Sequence, residues 1–201
     1  MRTFPNRLLL AVALAGLAAA TSLAAAKTWQ IDPAHAAAHF SVRHLMVSNV
    51  KGEFSNVTGT VNWDDSDLSR SSVEVSIDTN TVNTNNPDRD KDLRSDRFLN
   101  VERFPKMTFR SKSIKPAGAG KLAMTGDLTI RGITHEVTFE VEGPTPSVKD
   151  PWGNLRAGAS ATAKINRQSF DVKWNAVLEG GGVVVGDEIT VTIDLELIRK
   201  P

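Results

Sequence analysis

The chain has 201 residues, with 24 Lys and Arg, 23 Asp and Glu, and no Cys. The absence of cysteine excludes disulfide bonds, thiol redox chemistry and cysteine-ligated metal sites. The near balance of charge, without a basic stripe, excludes the electrostatic pattern of a nucleic-acid-binding protein. A chain of this length is typical of one domain with a sizeable core.

The first 26 residues have the pattern of a secretory signal peptide. Arg2 and Arg7 give a basic start, residues 8–23 are almost wholly apolar, and residues 24–26 are alanines that suit cleavage. The apolar run is shorter than the ~20 residues that span a membrane as a helix, which favours a cleaved signal over an anchor. We predict an exported chain, cleaved near Ala26, with one domain over residues 27–201. Its formal net charge then changes from +1 to about −1.

Beyond residue 26 the apolar residues recur with a period of two, which predicts strands with one buried face. Such strands are typical of an antiparallel sheet, and about eight of them bury their apolar faces as a sandwich or a barrel. The sequence therefore predicts an all-β fold. The predicted strands cover residues 38–47, 52–63, 73–79, 107–110, 122–130, 135–142, 157–165 and 189–197.

One segment breaks this period. Residues 88–99 read DRDKDLRSDRFL, and Pro87 precedes them at a position that favours the start of a helix. We predict one short helix over residues 88–99, on the outside or over one end of the sheet, with its charges in solvent.

Three histidines lie close together in the sequence, at positions 35, 39 and 44. On a strand, residues four apart lie about 13 Å from each other, whereas zinc needs ligands at ~2 Å. We therefore predict no metal site. His44 shares the face of Phe40 and Val42, which predicts an inward side chain. His135 also has inward parity, either as a hydrogen-bonded core residue or as a polar group in a ligand cavity.

No catalytic motif is present. Asp88, Asp90 and Asp92 resemble a calcium loop, but Leu93 and Leu99 stand where an EF-hand needs Gly and Glu. The sequence has neither a phosphate-binding loop nor a G-x-S-x-G elbow. We predict that the protein is not an enzyme and needs no cofactor.

The strand over residues 157–165 has four inward alanines, at positions 157, 159, 161 and 163. An eight-stranded barrel is just wide enough to be filled by side chains or to hold one small ligand. Four small residues favour a cavity, and the other strands would make it apolar. The alternative is a core filled by Trp63, Trp152 or Trp174.

The chain resembles the YceI-like family of polyisoprenoid-binding proteins over residues 28–200. The resemblance rests on ordered motifs, of which the segment over residues 126–134 is the most specific. Two positions depart from the family pattern: residues 92–96 read DLRSD where the family often has His-Leu, and Asp171 stands where it often has Gly. The motifs are DPAH (32–35), FSVRHL (40–45), VKGEF (50–54), LRSDRFL (93–99), FPKMTFRS (104–111), GDLTIRGIT (126–134), NRQSF (166–170) and VGDEI (185–189).

The resemblance implies a lipocalin-like antiparallel β-barrel, here of eight strands, with an inserted helix. It implies an apolar tunnel for a long-chain isoprenoid or similar amphiphile, such as a quinone tail or polyprenyl phosphate, in the periplasm of a Gram-negative bacterium. It implies no catalysis, and a homodimer is common in such proteins. The alternatives are an enzyme acting on a lipid-like substrate, with His44 or His135 as base, and a stress or structural protein without a ligand.

We predict that the cavity is lined by inward residues of these strands, and that Arg94 and Arg167 meet a phosphate or quinone head group, because guanidinium groups pair with phosphate oxygens. The predicted lining residues are Phe40, Val42, His44, Val75, Ile77, Met107, Phe109, Met124, Leu128, Val137, Phe139, Ala159, Ala161, Ile193 and Leu195.

Overall fold

The structure is a computed structural model that describes residues 26–199. The predicted signal peptide, apart from Ala26, lies outside the described residues. Within residues 26–199 the chain forms eleven strands, one α-helix and three short 3₁₀ turns. The elements are β1 (Lys27–Ile31), β2 (Ala37–His44), β3 (Ser48–Phe54), β4 (Val57–Trp63), β5 (Ser72–Asp78), α1 (Pro87–Arg94), β6 (Lys106–Gly118), β7 (Lys121–Ile130), β8 (Ile133–Glu142), β9 (Val148–Lys149), β10 (Leu155–Asn166) and β11 (Val185–Arg199).

Eight of these strands close into a barrel, in the order β11-β1-β4-β5-β6-β7-β8-β10 and back to β11. All the pairings are antiparallel. The closing pair β10–β11 runs in register from Leu155 opposite Arg199 to Asn166 opposite Glu188. The predicted all-β, antiparallel, eight-stranded barrel with a single helix is therefore confirmed.

The hairpin β2–β3 lengthens the barrel at one end. β11 pairs with β1 near residue 198 and with β2 over most of its remaining length, so β1 and β2 follow one another along the same edge of β11. β3 pairs with β2, and a single bridge joins Glu53 to Asn83. The segment between β5 and β6, which contains α1, lies beside this extension.

The strand boundaries near the N-terminus differ from the prediction. The predicted strand over residues 52–63 is split into β3 and β4, because Asn56 takes a positive φ of 55° and breaks the extended chain. β2 ends at His44, three residues early, because Leu45 and Met46 adopt φ values of 49° and 61°. β1 was not predicted, since five residues are too short to show a period.

The helix α1 begins where the sequence indicates and ends earlier than predicted. Asn86 caps its start by accepting a hydrogen bond from Arg89 N at 3.0 Å. At the other end, both the backbone N–H and the hydroxyl of Ser95 donate to Asp92 O, at 3.0 and 2.6 Å. The predicted end at residue 99 is wrong, because this serine stops the helix and residues 96–99 continue as a turn.

The core follows from the period of two. Val73, Val75 and Ile77 of β5 are all buried, and the residues between them are not. The same alternation places Ala161, Ala163 and Ile165 of β10 inside the barrel. The polar residues of each strand thus face solvent, as expected for an antiparallel sheet with one wet face.

Candidate functional site

The barrel interior contains two cavities. One, which we call the first chamber, has a volume of about 150 Å³ and lies at the end of the barrel near α1 and the 3₁₀ turn Arg167–Phe170. Apart from His39 and Arg167, its lining residues are apolar. Seven residues of the predicted lining belong to it: Phe40, Val42, Ile77, Met107, Leu128, Phe139 and Ile193.

Part of the first chamber is formed by residues that the strand period could not reveal. Leu93, Phe98 and Leu99 come from α1 and the turn after it, and Phe170 and Val172 from the loop after β10. The signal available in the sequence was their apolar character within an otherwise charged or polar segment. This helical segment therefore presents its few apolar side chains to the barrel interior.

The other cavity, the second chamber, has a volume of about 590 Å³ and lies at the opposite end of the barrel. Met124, Ala159, Ala161 and Leu195 of the predicted lining belong to it, together with Ala157. The small side chains of β10 thus lie where this space is found. Its wall has more polar residues than that of the first chamber, among them Lys27, Asp65, Thr145, Ser147 and Ser160.

Four predicted lining residues lie outside both chambers. Val75 and Phe109 are buried between them, and Val137 packs against the core. His44 is half-buried at the end of β2, opposite Ser48 and Val185. Inward parity was correct for Val75 and Phe109, but parity alone does not say which inward residues border open space.

Of the three tryptophans considered as core-filling residues, two lie outside the chambers. Trp152 is 79% exposed, and Trp174 packs outside the chambers against Phe98, with ring centroids 5.5 Å apart. Trp63 lines the second chamber and is only partly buried. A core filled by Trp152 or Trp174 is therefore excluded.

Arg167 is only 3% exposed and lies at the wall of the first chamber. Its guanidinium donates to the carbonyl oxygens of Val172, Trp174, Val185 and Gly186 at 2.5–3.1 Å, and to Asp187 Oδ1 at 3.2 Å. These five bonds match the five N–H groups of an arginine. Burial lowers the pKa of Arg167. The structure leaves no donor of Arg167 free for a ligand head group, contrary to the expectation from sequence.

The loop beside Arg167 contains one of the two departures from the family pattern. Asp171 ends the 3₁₀ turn Arg167–Phe170 with a φ of 60°. Glycine adopts this left-handed conformation without strain, and aspartate tolerates it better than most residues. Asp171 also faces Arg131 at 3.5 Å and Lys173 at 3.0 Å. The substitution is therefore compatible with the same backbone.

Arg94 lies outside both chambers. Its Nη1 donates to the carbonyl oxygens of Val82 at 3.0 Å and Asn80 at 3.4 Å. These bonds join the end of α1 to the segment after β5, which contributes Val82 to the first chamber. The visible role of Arg94 is to hold this wall in place.

The histidines are dispersed. His35 bonds to Asp32 at 3.1 Å, and His39 faces Glu53 at 3.6 Å and Asp194 at 3.9 Å. His135 is exposed, its Nε2 lies 3.0 Å from Ser169 O, and its ring packs edge-on against Phe170. Its inward parity does not bury it, because it lies close to the start of β8 at the barrel rim.

A charged cluster lies near the start of β10. Arg156 donates to Asp32 and Asp150 at 2.8 Å each, and also to Glu196. The hydrogen bond from Arg156, followed by that from His35, lowers the pKa of Asp32 to about 2. Burial raises the pKa of Asp150, but bonds from Asn154 and Arg156 outweigh it and bring the value to about 2.

Ligand atoms of Asp32, His35 and Glu196 lie within 4.8 Å of one another, a spacing that a metal ion could bridge. However, the guanidinium of Arg156 already contacts both carboxylates. A second cation there would repel this arginine. The cluster is therefore an ion-pair network that ties the end of β1 to β10 and β11.

The fold and these cavities define a class, the closed antiparallel β-barrels with an apolar interior. Within it, residues 29–197 match the family model described as the YceI-like domain, and the chain belongs to that family. A curated relative, Protein YceI of Salmonella newport (strain SL254), is 42% identical over 166 residues, which cover 82% of this chain and 86% of that protein. Among residues 26–199, no helix is long and apolar enough to cross a membrane.

Solved structures share the fold. The Campylobacter jejuni YCEI protein is 30% identical, with a TM-score of 0.64, and the match covers 79% of this chain and 90% of that one. Burkholderia cenocepacia BcnA is 21% identical, with a TM-score of 0.70 and coverage of 83% and 98%. A domain from Saccharophagus degradans, described as polyisoprenoid binding and implicated in plant cell wall breakdown, is 12% identical, with a TM-score of 0.59 and coverage of 86% and 98%.

Proposed function

We propose that this protein binds a long-chain isoprenoid or a similar amphiphilic lipid inside its barrel and carries it through the periplasm without catalysis. The observation that carries the proposal is the pair of chambers, lined largely by apolar side chains, within one barrel. The predicted signal peptide supports the location. The description of the Saccharophagus degradans neighbour supports the ligand class.

Burial of the chain supplies the affinity. Each methylene group removed from water contributes about 0.8 kcal/mol. A long prenyl chain therefore binds with few polar contacts, after the cost of immobilising it is subtracted. The two chambers together supply the apolar surface for this, and that of the first chamber comes from both the strands and the segment that contains α1.

The polar end of the ligand fits the second chamber better than the first. The guanidinium of Arg167 is fully used by protein acceptors, so a head group in the first chamber would displace those bonds. The wall of the second chamber offers hydroxyl groups and the ammonium of Lys27, which donates to Asp65 and has three N–H groups in all. An amphiphile would accordingly place its tail toward α1 and its head toward the opposite end.

Among residues 26–199, the histidines considered as catalytic bases contact no hydroxyl nucleophile. His135, one of the candidate bases, faces a backbone carbonyl. Within the described part of the chain, no serine or threonine hydroxyl is hydrogen-bonded to a histidine. General base catalysis requires such contact with the group that loses the proton, and the arrangement thus favours binding alone.

Native mass spectrometry of the protein purified from a periplasmic fraction tests the proposal, together with the substitution Ala161→Trp. This position lies inside the barrel on the wall of the second chamber. The indole would project into that space and obstruct it, so we expect the mass of copurified lipid to be lost while the β circular-dichroism signal persists. Overpacking of this kind costs about 1–3 kcal/mol of stability.

Thr162→Trp is the matched control, because Thr162 is adjacent on β10 and exposed. It should keep the bound lipid. A wild-type protein that is empty and takes up no lipid contradicts the proposal, as does Ala161→Trp protein that binds lipid as well as the wild type.

A further inference from the structure

A partial ring of inward residues on four strands separates the two chambers. On β8 and β11 no inward residue lies between them, because Phe139 and Ile193 line the first chamber and the next inward residues, Val141 and Leu195, line the second. On β7, Met124 lines the second chamber and Leu128 the first, and the residue between them borders neither. β5 and β10 have the same arrangement, and β6 has it with a bulge near residue 112. The four separating residues are Val75, Phe109, Gly126 and Ala163.

Phe109 provides most of the bulk in this ring. The other three residues are Val, Gly and Ala, and Phe109 is only 6% exposed. Its ring meets Phe139 of the first chamber edge-to-face, with centroids 5.2 Å apart and planes at 78°. A Cβ at Gly126 would lie 2.7 Å from Phe109 Cζ, so the absence of a side chain there leaves space for this ring.

The volume of the first chamber shows why the separating residues limit the length of a bound chain. An apolar cavity of about 150 Å³ accommodates a molecule the size of benzene. The first chamber has that volume, so it holds only a short apolar group with Phe109 in place. A long prenyl chain needs both chambers, and Phe109 is the bulkiest of the residues that separate them.

We infer that Phe109 determines which chain lengths the barrel accepts. This inference rests on the proposed function and deepens it. With the phenyl group of Phe109 in place, a short apolar chain occupies a single chamber. A long chain spans both chambers only when the phenyl group of Phe109 turns aside and loses its contact with Phe139. An edge-to-face contact of this kind corresponds to roughly two- to twelvefold in an equilibrium constant.

The test compares prenyl alcohols of two, four and eight isoprene units as ligands of wild-type protein and variants. The measured quantity is the ratio of the affinity for the longest alcohol to that for the shortest. In Phe109→Ala the small residues Gly126 and Ala163 leave the chambers continuous, so we expect this ratio to rise about tenfold. Phe109→Leu keeps more of the buried core and should give a smaller rise in this ratio. It replaces the alanine variant in the test if that variant does not fold.

Phe104→Ala is the matched control. Phe104 is half-buried, lines neither chamber and packs against Gly132, away from the separating ring. Its truncation removes the same side chain without joining the chambers, so the ratio should stay at the wild-type value.

The outcomes separate this inference from the proposed function. Binding of all three alcohols with the same ratio in wild type and both Phe109 variants overturns the role of Phe109 and leaves the lipid-binding function in place. An equal rise in Phe104→Ala also overturns it, because loosening of the packing would then explain the change. No binding of any alcohol by any of these proteins overturns both.

Discussion

The two ends of β10 each have an arginine, and the contrast between them distinguishes the two ends of the barrel. Arg167, just after the strand, is buried and donates chiefly to backbone carbonyls. Arg156, near its start, is 18% exposed and pairs with three carboxylates. Burial lowers the pKa of Arg167, whereas the hydrogen bonds that Arg156 donates to carboxylates raise its pKa.

This difference indicates how each end responds to conditions. Backbone carbonyls do not titrate, so the first-chamber end depends on burial and geometry. Carboxylates do titrate, so the second-chamber end depends on pH. Three variants, two with a single substitution and one with a double substitution, test this division, and each acts on one end.

The largest effect is expected from Arg167→Met, which keeps the length of the side chain and removes all its donors. It leaves four carbonyls of the surrounding loops without this partner. Each unsatisfied buried polar group costs about 1–3 kcal/mol, so we expect a loss of about 3 kcal/mol or more in the free energy of unfolding. Urea denaturation measures it.

Arg110→Met is the control for this change, because Arg110 is 74% exposed and pairs only with Glu74. Exposed pairs of this kind contribute about 0.2–1 kcal/mol. Equal losses for Arg167→Met and Arg110→Met would contradict the structural role of Arg167.

An intermediate effect is expected from Arg156→Met, and it depends on pH. Asp32 and Asp150 have folded-state pKa values of about 2, below the ordinary value of 3.8. Their stabilisation is therefore present above pH 3.8 and is lost as the pH falls toward 2. We expect the wild-type Tm to fall across this range, and the Tm of Arg156→Met to start lower at neutral pH and fall less.

Thermal unfolding at several pH values measures this difference. Arg110→Met again serves as the control and should keep the wild-type slope. If Arg156→Met shows the wild-type slope below pH 4, the network around Arg156 is not the source of the acid sensitivity.

The smallest effect is expected at the turn between β2 and β3, at the Arg167 end. Leu45 and Met46 both have positive φ values, and Val47 N donates to His44 O at 3.1 Å. This turn geometry favours Asn-Gly. We expect the double substitution Leu45→Asn and Met46→Gly to raise the free energy of unfolding by about 1 kcal/mol.

Val47→Asn separates the relief of backbone strain from the removal of exposed apolar surface. Val47 is 75% exposed and lacks a positive φ. It should give no gain. A similar gain from both variants would show that removal of exposed apolar surface, not the turn conformation, is responsible.

The sequence predicted the barrel because each strand repeats the same period. Residues 157–165 and 189–197 alternate along their whole length, and they form the closing pair of the barrel. The points at which strands end were harder to predict from the sequence. Nothing about Leu45 and Met46 indicates a left-handed turn, since the residues that usually adopt it are Gly and Asn.

The sequence predicted which residues of the candidate site face inward. It did not predict how the interior is divided into two chambers. Met107 and Phe109 have the same parity, yet only Met107 borders the first chamber. Which inward residues meet across a barrel depends on the stagger of all eight strands, which no single segment encodes. The role of Arg167 was hidden for a related reason, because its acceptors are backbone atoms, which every residue has.

The position of β11 in the chain has a consequence for the order of folding. This strand, the last one described, supplies neighbours to β1, β2 and β10, and Gln30 pairs with Ile198. The barrel thus cannot close until residues 185–199 are available. Contacts so distant in sequence make folding slow, because the entropy of loop closure is lost before the contact forms. A chain that crosses a membrane unfolded would remain open until its final strand emerged.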